Sequence, residues 1–241
     1  MRSKDAVKLN FNAPEDVAKA AAKYAVNILS EAVAAKGRAV WVLAGGTSPM
    51  AAYKIITQQY ADSIDWTKVI VLIGDERFVP FESEDSNWGT IMEIFDTTAL
   101  GNAQKIAPYI KKDVAETAQS YQQAIIGAQA AQFDLVWLGV GEDGHTLSMF
   151  PGNRAFIEHT EEIVVPVYDS PKPPAQRISL SLHALKNTQH LEIFAVGGAK
   201  KDALLKVRMG ESLPIGVAAQ AVDDAGGVVR WLYDEAAWGP R

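Results

Sequence analysis

Three short segments with almost only apolar residues constrain the fold of this chain more than any other feature. They lie at 38–44, 69–73 and 133–138. Apolar runs of this kind are typical of strands in a parallel sheet that is covered on both faces. Helical patterns separate the runs, and strands that alternate with helices predict an α/β fold, a Rossmann-like, mostly parallel sheet with helices on both faces.

The same alternation predicts the other elements of the chain. A first helix should begin at Pro14, capped by the side chain of Asn12, and end at Gly37. Further helices are expected at 49–60, 86–97, 113–130 and 200–209. Further strands are expected at 162–168, at 177–182 (half-exposed, because polar and apolar residues alternate), at 190–196 and at 228–233. No linker, repeat or charge block interrupts the chain, so a single domain is predicted over residues 1–241, with 170–174 as an internal loop.

Composition excludes several classes of function. The net charge of −6 argues against a nucleic-acid partner or an anionic membrane, although a few local cations can still attract an anionic substrate. The chain has no cysteine, which excludes disulfides and thiolate metal sites. With no metal-binding pattern, no metal and no cofactor are expected. No apolar stretch has the length of a membrane span, and no signal-peptide core follows the first residues, so a cytoplasmic protein is expected.

The segment from 138 to 152 is the strongest candidate for chemistry. After the third apolar run it places three glycines, two acids and His145 within a few positions. Glycines let the backbone turn sharply and approach a ligand, and a histidine can transfer protons near neutral pH. A tight strand-to-helix turn with an incidental histidine explains the same residues, and the pattern alone does not decide between the two.

The ends of the first two apolar strands also carry candidate ligands. Gly45, Gly46, Thr47 and Ser48 precede a helix, which favours a phosphate-binding loop, although a turn with a capping hydroxyl is the simpler alternative. Arg77 follows the second strand and can hold an anion or stabilise an oxyanion. Its neighbours Asp75 and Glu76 would orient it.

Five further polar positions remain. Ser86 and Asn87 can cap the next helix or contact sugar hydroxyls, and capping is the better interpretation. Lys172 and Arg177 flank a stiff Pro-Pro pair. Lys200 follows two glycines at a helix start, which suits an anion. The other histidines have no spacing typical of ligands.

Taken in order, these motifs resemble those of the 6-phosphogluconolactonase family over nearly the whole chain. They are AGGTSP at 44–49, DERFVP at 75–80, SN at 86–87, GVGEDGHT at 139–146, FPG at 150–152, KPP at 172–174 with Arg177, GGAK at 197–200 and WLYD at 231–234. One departure is Leu-Ser-Met at 147–149, where the family more often has Ala-Ser-Leu. The resemblance implies the fold shared by glucosamine-6-phosphate deaminases, ribose-5-phosphate isomerases and CoA transferases.

The resemblance also implies an activity and a set of site residues. The activity is hydrolysis of 6-phosphoglucono-δ-lactone to 6-phosphogluconate, in the oxidative pentose phosphate pathway, by what is expected to be a monomer. His145 would be the general base on water, Arg77 the oxyanion ligand and Asp143 the partner that fixes the imidazole tautomer. The expected substrate-binding residues are Gly45, Gly46, Thr47, Ser48, Ser86, Asn87, Arg177 and Lys200.

Two other functions compete with lactone hydrolysis. A glucosamine-6-phosphate deaminase has similar glycine-rich segments, but it carries tyrosine where this chain has Arg77 and glutamate where it has Phe150. A non-catalytic sugar-phosphate sensor would need a DNA-binding segment, for which this acidic chain has no room. Lactone hydrolysis is therefore the expected function.

Overall fold

The computed structural model describes residues 7–238. Its strands are β1 (Val7–Phe11), β2 (Ala39–Leu43), β3 (Val69–Ile73), β4 (Asp75–Arg77), β5 (Gln104–Ile106), β6 (Phe133–Gly139), β7 (Val164–Val167), β8 (Arg177–Leu180), β9 (Thr188–Ala195) and β10 (Val228–Asp234). Its helices are α1 (Pro14–Lys36), α2 (Thr47–Gln59), α3 (Asn87–Phe95), α4 (Val114–Gly127), α5 (Arg154–Ile157), α6 (Leu182–Leu185), α7 (Lys201–Arg208), α8 (Pro214–Asp224) and α9 (Glu235–Trp238).

Seven strands form one parallel sheet in the order β1-β10-β9-β6-β2-β3-β5. Every residue of β2 and β3 is buried, so both faces are covered at the centre of the sheet. A cluster of rings packs there: Trp137 lies 4.9 Å from both Trp41 and Tyr53 between ring centroids. The predicted α/β class with a mostly parallel sheet is confirmed.

A second, antiparallel sheet has the strand order β4-β8-β7. Its strands β7 and β8 lie within the strands predicted at 162–168 and 177–182. The charged run at 75–77, for which no strand was predicted, is strand β4. The prediction that 177–182 would be half-exposed is wrong, because all four residues of β8 are buried. Gly74 alone joins β3 to β4; its N–H donates to the Leu43 carbonyl at 2.9 Å and its carbonyl accepts from the Leu180 N–H at 2.8 Å.

Most predicted helices lie within a few residues of their observed bounds. The cap proposed for α1 is wrong: Ala13 is the N-cap residue and no side chain bonds to the helix start. Gly37 ends that helix in the left-handed conformation, as expected (φ 77°). Neither β1 nor α8 was predicted. Across residues 7–238, no helix is long and apolar enough to cross a membrane.

Candidate active site

A cavity of about 340 Å³ opens at the carboxyl end of the parallel strands, and it gathers most of the predicted site residues. From those predictions it is lined by Gly45, Gly46, Arg77, Asn87, His145, Arg177 and Lys200. Asp75, Glu142 and Lys172 add three charges. Ligands of open parallel sheets bind at this edge, because the loops that follow neighbouring strands meet there.

His145 is held by Asp143, two residues earlier in the chain. The imidazole Nδ1 lies 2.5 Å from Asp143 Oδ1, and the His145 backbone N–H donates to the same oxygen at 3.2 Å. Both contacts require Gly141, since a Cβ atom on that residue would overlap the imidazole and the carboxylate. The bond at Nδ1 leaves Nε2 as the nitrogen available to a water or a substrate.

Burial gives His145 the protonation behaviour of a base. Burial lowers its pKa, which the Asp143 carboxylate partly opposes, so the neutral imidazole predominates at neutral pH. The ring stacks on Phe150 at 4.3 Å between centroids, and Arg177 lies over the same phenyl ring at 5.5 Å. Phe150 is fully buried, so the position that separates this chain from the deaminases supports the histidine.

The turn around His145 has an uncommon backbone. Gly144 has φ 82°, and Leu147 has φ 53°, a left-handed conformation that costs free energy in a residue with a side chain. Leu147 packs where a Cβ atom on Gly74 would otherwise lie. The turn is thereby fixed against the junction of the two sheets.

Strands β4 and β8 deliver the arginines to the cavity. Their register places Arg77 opposite Arg177. The Arg77 Nη1 donates to the Asp85 carbonyl at 2.7 Å, whereas its Nε is buried without a partner within residues 7–238. Arg177 donates to the carbonyls of Lys172, Pro173 and Pro174, at 3.0 to 3.3 Å. Arg177 therefore anchors the 172–174 loop as well as lining the cavity.

Glu76 points away from the cavity and organises the start of α3. Its buried carboxylate accepts from the backbone N–H groups of Arg77, Asn87 and Trp88, at 2.6 to 2.9 Å, and from the Ser86 hydroxyl at 3.0 Å. Burial raises the pKa of Glu76 against the pull of these donors. Glu76 was expected to orient Arg77, and it does bond to the Arg77 backbone N–H.

Ser86 is not available to a substrate. It is buried, and its hydroxyl oxygen accepts from the Gly89 N–H at 3.0 Å as the N-cap of α3 while donating to Glu76. The capping role, which was the better interpretation for Ser86, is confirmed, whereas the substrate contact also predicted for it has no support because the hydroxyl is used within the protein. Asn87 lies in the cavity, with its Nδ2 donating to the Asp75 carbonyl at 3.1 Å.

The loop before α2 offers backbone donors to an anion. Gly46 (φ 95°) is the N-cap residue and no side chain bonds to the helix start, so the capping alternative for Thr47 and Ser48 does not apply. Thr47 is exposed and Ser48 half-buried, and the cavity lining includes neither. From this loop, Ala44, Gly45 and Gly46 line the cavity. A Cβ atom on Gly45 would collide with the Asn87 amide.

Lys200 reaches the cavity from the opposite side, at the end of a short 3-10 turn, Gly198–Lys200. Asp234 fixes this turn, because its Oδ1 accepts from the Gly197 N–H at 2.9 Å and from the Ala237 N–H at 3.0 Å. Four cationic side chains thus face one cavity. Among residues 7–238, no group of three or more His, Asp or Glu side chains is placed to hold a metal ion.

Comparisons with known proteins agree with this geometry. The family model described as glucosamine-6-phosphate isomerases/6-phosphogluconolactonase matches residues 12–231. The chain belongs to this family. A 6-phosphogluconolactonase of Mycobacterium tuberculosis is 34% identical over 230 residues, which cover 89% of this chain and 90% of that protein.

Two other members of the family point the same way. A 6-phosphogluconolactonase of Rattus norvegicus is 38% identical over 168 residues, or 68% of this chain and 64% of that protein. The crystal structure of a 6-phosphogluconolactonase from Shewanella baltica superposes with a TM-score of 0.83 at 25% identity, covering 97% of this chain and 99% of that one.

Proposed function

We propose that this chain is a 6-phosphogluconolactonase, a hydrolase of the pentose phosphate pathway that opens 6-phosphoglucono-δ-lactone to 6-phosphogluconate. The observation that carries the proposal is the Asp143–His145 pair beside a cavity with four cationic side chains. The relatives at 34% and 38% identity bear the same enzyme name.

In the proposed mechanism His145 activates the attacking water. The neutral imidazole takes a proton from water at Nε2 as the oxygen attacks the lactone carbonyl. The imidazolium that forms is stabilised by the Asp143 carboxylate at Nδ1, and it returns the proton to the ring oxygen as the C–O bond breaks. General acid–base assistance of this kind contributes on the order of 10² to 10⁴ in rate.

Arg77 is proposed to stabilise the tetrahedral oxyanion. Arg77 lines the cavity, and its one acceptor among residues 7–238 is the Asp85 carbonyl at Nη1, so the other N–H groups of the guanidinium are left to donate to the developing charge. The substrate phosphate is proposed to lie between Lys200 and the backbone N–H groups at Gly45 and Gly46, where the start of α2 favours an anion. Arg177 contributes a further positive charge to the cavity.

Replacement of His145 tests the proposal. His145→Ala should lower kcat/KM for the lactone by about 10² or more. Because δ-lactones hydrolyse spontaneously, the substrate is generated in situ and the uncatalysed rate is subtracted. His159→Ala, at an exposed histidine outside the cavity, is the matched control and should retain full activity. Full activity of the His145→Ala variant would refute the assignment of the base.

We also propose that the chain acts as one domain in the cytoplasm. A single hydrophobic core that includes residues from α1 to α9 supports one domain. A phosphorylated substrate does not cross membranes unaided, which supports a location where sugar phosphates are made. A monomer stays a prediction from the sequence.

A further inference from the structure

Asp75 lies in the cavity, and the mechanism above gives it no role. Side chains alternate along β4, so Asp75 and Arg77 share the cavity side while Glu76 is buried on the other. The register with β8 places Asp75 opposite Ser179. A carboxylate is thus built into the wall of a cavity that otherwise attracts anions.

One oxygen of Asp75 is fixed and the other is open. Oδ2 accepts from the Ser148 hydroxyl at 2.7 Å. Ser148 is fully buried and is itself held, its N–H donating to the Ser179 hydroxyl at 3.3 Å and its carbonyl accepting from Asn153 at 3.1 Å. Oδ1 has no hydrogen-bond partner within residues 7–238. The carboxylate is therefore held in one orientation with an acceptor left free.

The chemistry of a carboxylate limits what this acceptor can bind. An ionised carboxylate accepts hydrogen bonds and donates none, and it repels a phosphate. The lactone offers an acceptor at its carbonyl, an anion at its phosphate, and donors only at the ring hydroxyls. A ring hydroxyl is the one part of that substrate that Asp75 can bond.

We infer that Asp75 Oδ1 accepts a hydrogen bond from a ring hydroxyl of the lactone and so makes the site specific for polyhydroxylated substrates. The inference rests on the proposed function. The same carboxylate repels the phosphate and directs it toward Lys200, which fixes the orientation of the ring with its carbonyl at His145. Asp75 is then a specificity-determining residue, with Ser148 as the residue that positions it.

Lactones that lack a single hydroxyl test this inference. The parent substrate and its 2-deoxy, 3-deoxy and 4-deoxy analogues are compared by kcat/KM in the wild type, in Asp75→Ala and in Asp75→Asn. In the wild type, one analogue should be slower than the parent by about tenfold or more, because a charged acceptor loses its donor. In Asp75→Ala that ratio should fall to within about twofold, with an intermediate value in Asp75→Asn. Asp62→Asn, at an exposed aspartate outside the cavity, should keep the wild-type ratio.

Two results would overturn the inference. One is that the wild type hydrolyses the parent and all three analogues at similar rates. This result does not depend on whether any variant folds. The other is an Asp75→Ala variant in which the parent and every analogue slow by the same factor, the sign of a general electrostatic effect on His145 or Arg177. A wild type with no hydrolysis above the spontaneous rate would instead refute the proposed function, and the inference with it.

Discussion

At the level of single residues, the His145 imidazole is subject to two opposing influences. Burial against Phe150 disfavours its charged form, and the Asp143 carboxylate favours it. Burial keeps a general base neutral before the reaction, and the carboxylate stabilises its charged form once it has taken a proton. Both influences act on His145 because Asp143 is only two residues away, which places its carboxylate at Nδ1 while the imidazole stays mostly buried.

The Asp143→Asn variant should separate these influences. Because the carboxylate raises the pKa of His145, its loss should lower that pKa and move the acidic limb of the kcat/KM profile to lower pH. Activity on the plateau should fall by on the order of 10² or more, since an amide no longer stabilises the imidazolium. The profile is measured between about pH 5 and 8, where histidine titrates. A limb that moves to higher pH would contradict this account.

Sequence alone predicted His145, Asp143 and Arg77 as site residues, because they follow parallel strands whose carboxyl ends meet at one edge of the sheet. It could not predict that Ser86 caps α3 while Asn87 lines the cavity, because the start of the helix determines the direction of each side chain. Asp75 was also undervalued. Its role depends on the Ser148 hydroxyl, which is 73 residues away along the chain, and no local pattern reveals that contact.

At the level of elements, strand β9 carries a buried carboxylate beneath the cavity. Glu192 accepts from Arg230 Nη1 at 2.7 Å and from Trp137 Nε1 at 2.9 Å, and Trp137 also lines the cavity. Arg230 lies opposite Glu192 in the register of β10 with β9 and over the ring of Tyr24 at 3.5 Å. Burial raises the pKa of Glu192 to about 8.

Glu192 should therefore make stability depend on pH. Between about pH 4.5 and 8 the folded chain retains a proton that the unfolded chain releases, so the free energy of unfolding falls as pH rises. Glu192→Gln removes this titration. The free energy of unfolding of the variant minus that of the wild type should therefore increase by on the order of a few kcal/mol from pH 5 to pH 8. Urea unfolding of both proteins at pH 5 and at pH 8 measures this change. If the difference in the free energy of unfolding between the two proteins is the same at both pH values, the pKa of Glu192 is not raised.

Sequence patterns predicted five strands of the large sheet and strands β7 and β8 of the small one, but they missed β1, β4 and β5. The apolar runs of β2, β3 and β6 are buried on both faces and are recognisable alone. Strand β4 has only charged residues, because one face turns into the cavity and the other receives the start of α3. Its strand character comes from pairing with β8, which lies about 100 residues further along the chain.

At the level of the whole molecule, charge is unevenly distributed. The chain has a net charge of −6. Among residues 7–238, however, the cavity is lined by four cationic side chains, Arg77, Lys172, Arg177 and Lys200, and by only two acidic ones, Asp75 and Glu142. A concave site concentrates the field of such a group, so an anion is attracted locally despite the overall sign.

Substrate binding should accordingly weaken in salt. KM for the phosphorylated lactone should rise several-fold when NaCl increases from about 10 mM to about 200 mM, because the screening length falls from about 30 Å to below 10 Å. The value of kcat should change little, since it reports the bound state. Steady-state kinetics at constant pH measure both constants. A KM that does not respond to salt would show that the cations are not the phosphate site.

The single residue between β3 and β4 also limits how this chain can vary in length. Inserting one residue beside Gly74 would shift β4 by one position and exchange its two faces. Asp75 and Arg77 would then face α3, and Glu76 would enter the cavity. An inserted codon at Gly74 would therefore exchange the charges of β4 that face the cavity, and a side chain at Gly74 would overlap Leu147, so this junction tolerates neither an added residue nor a larger one.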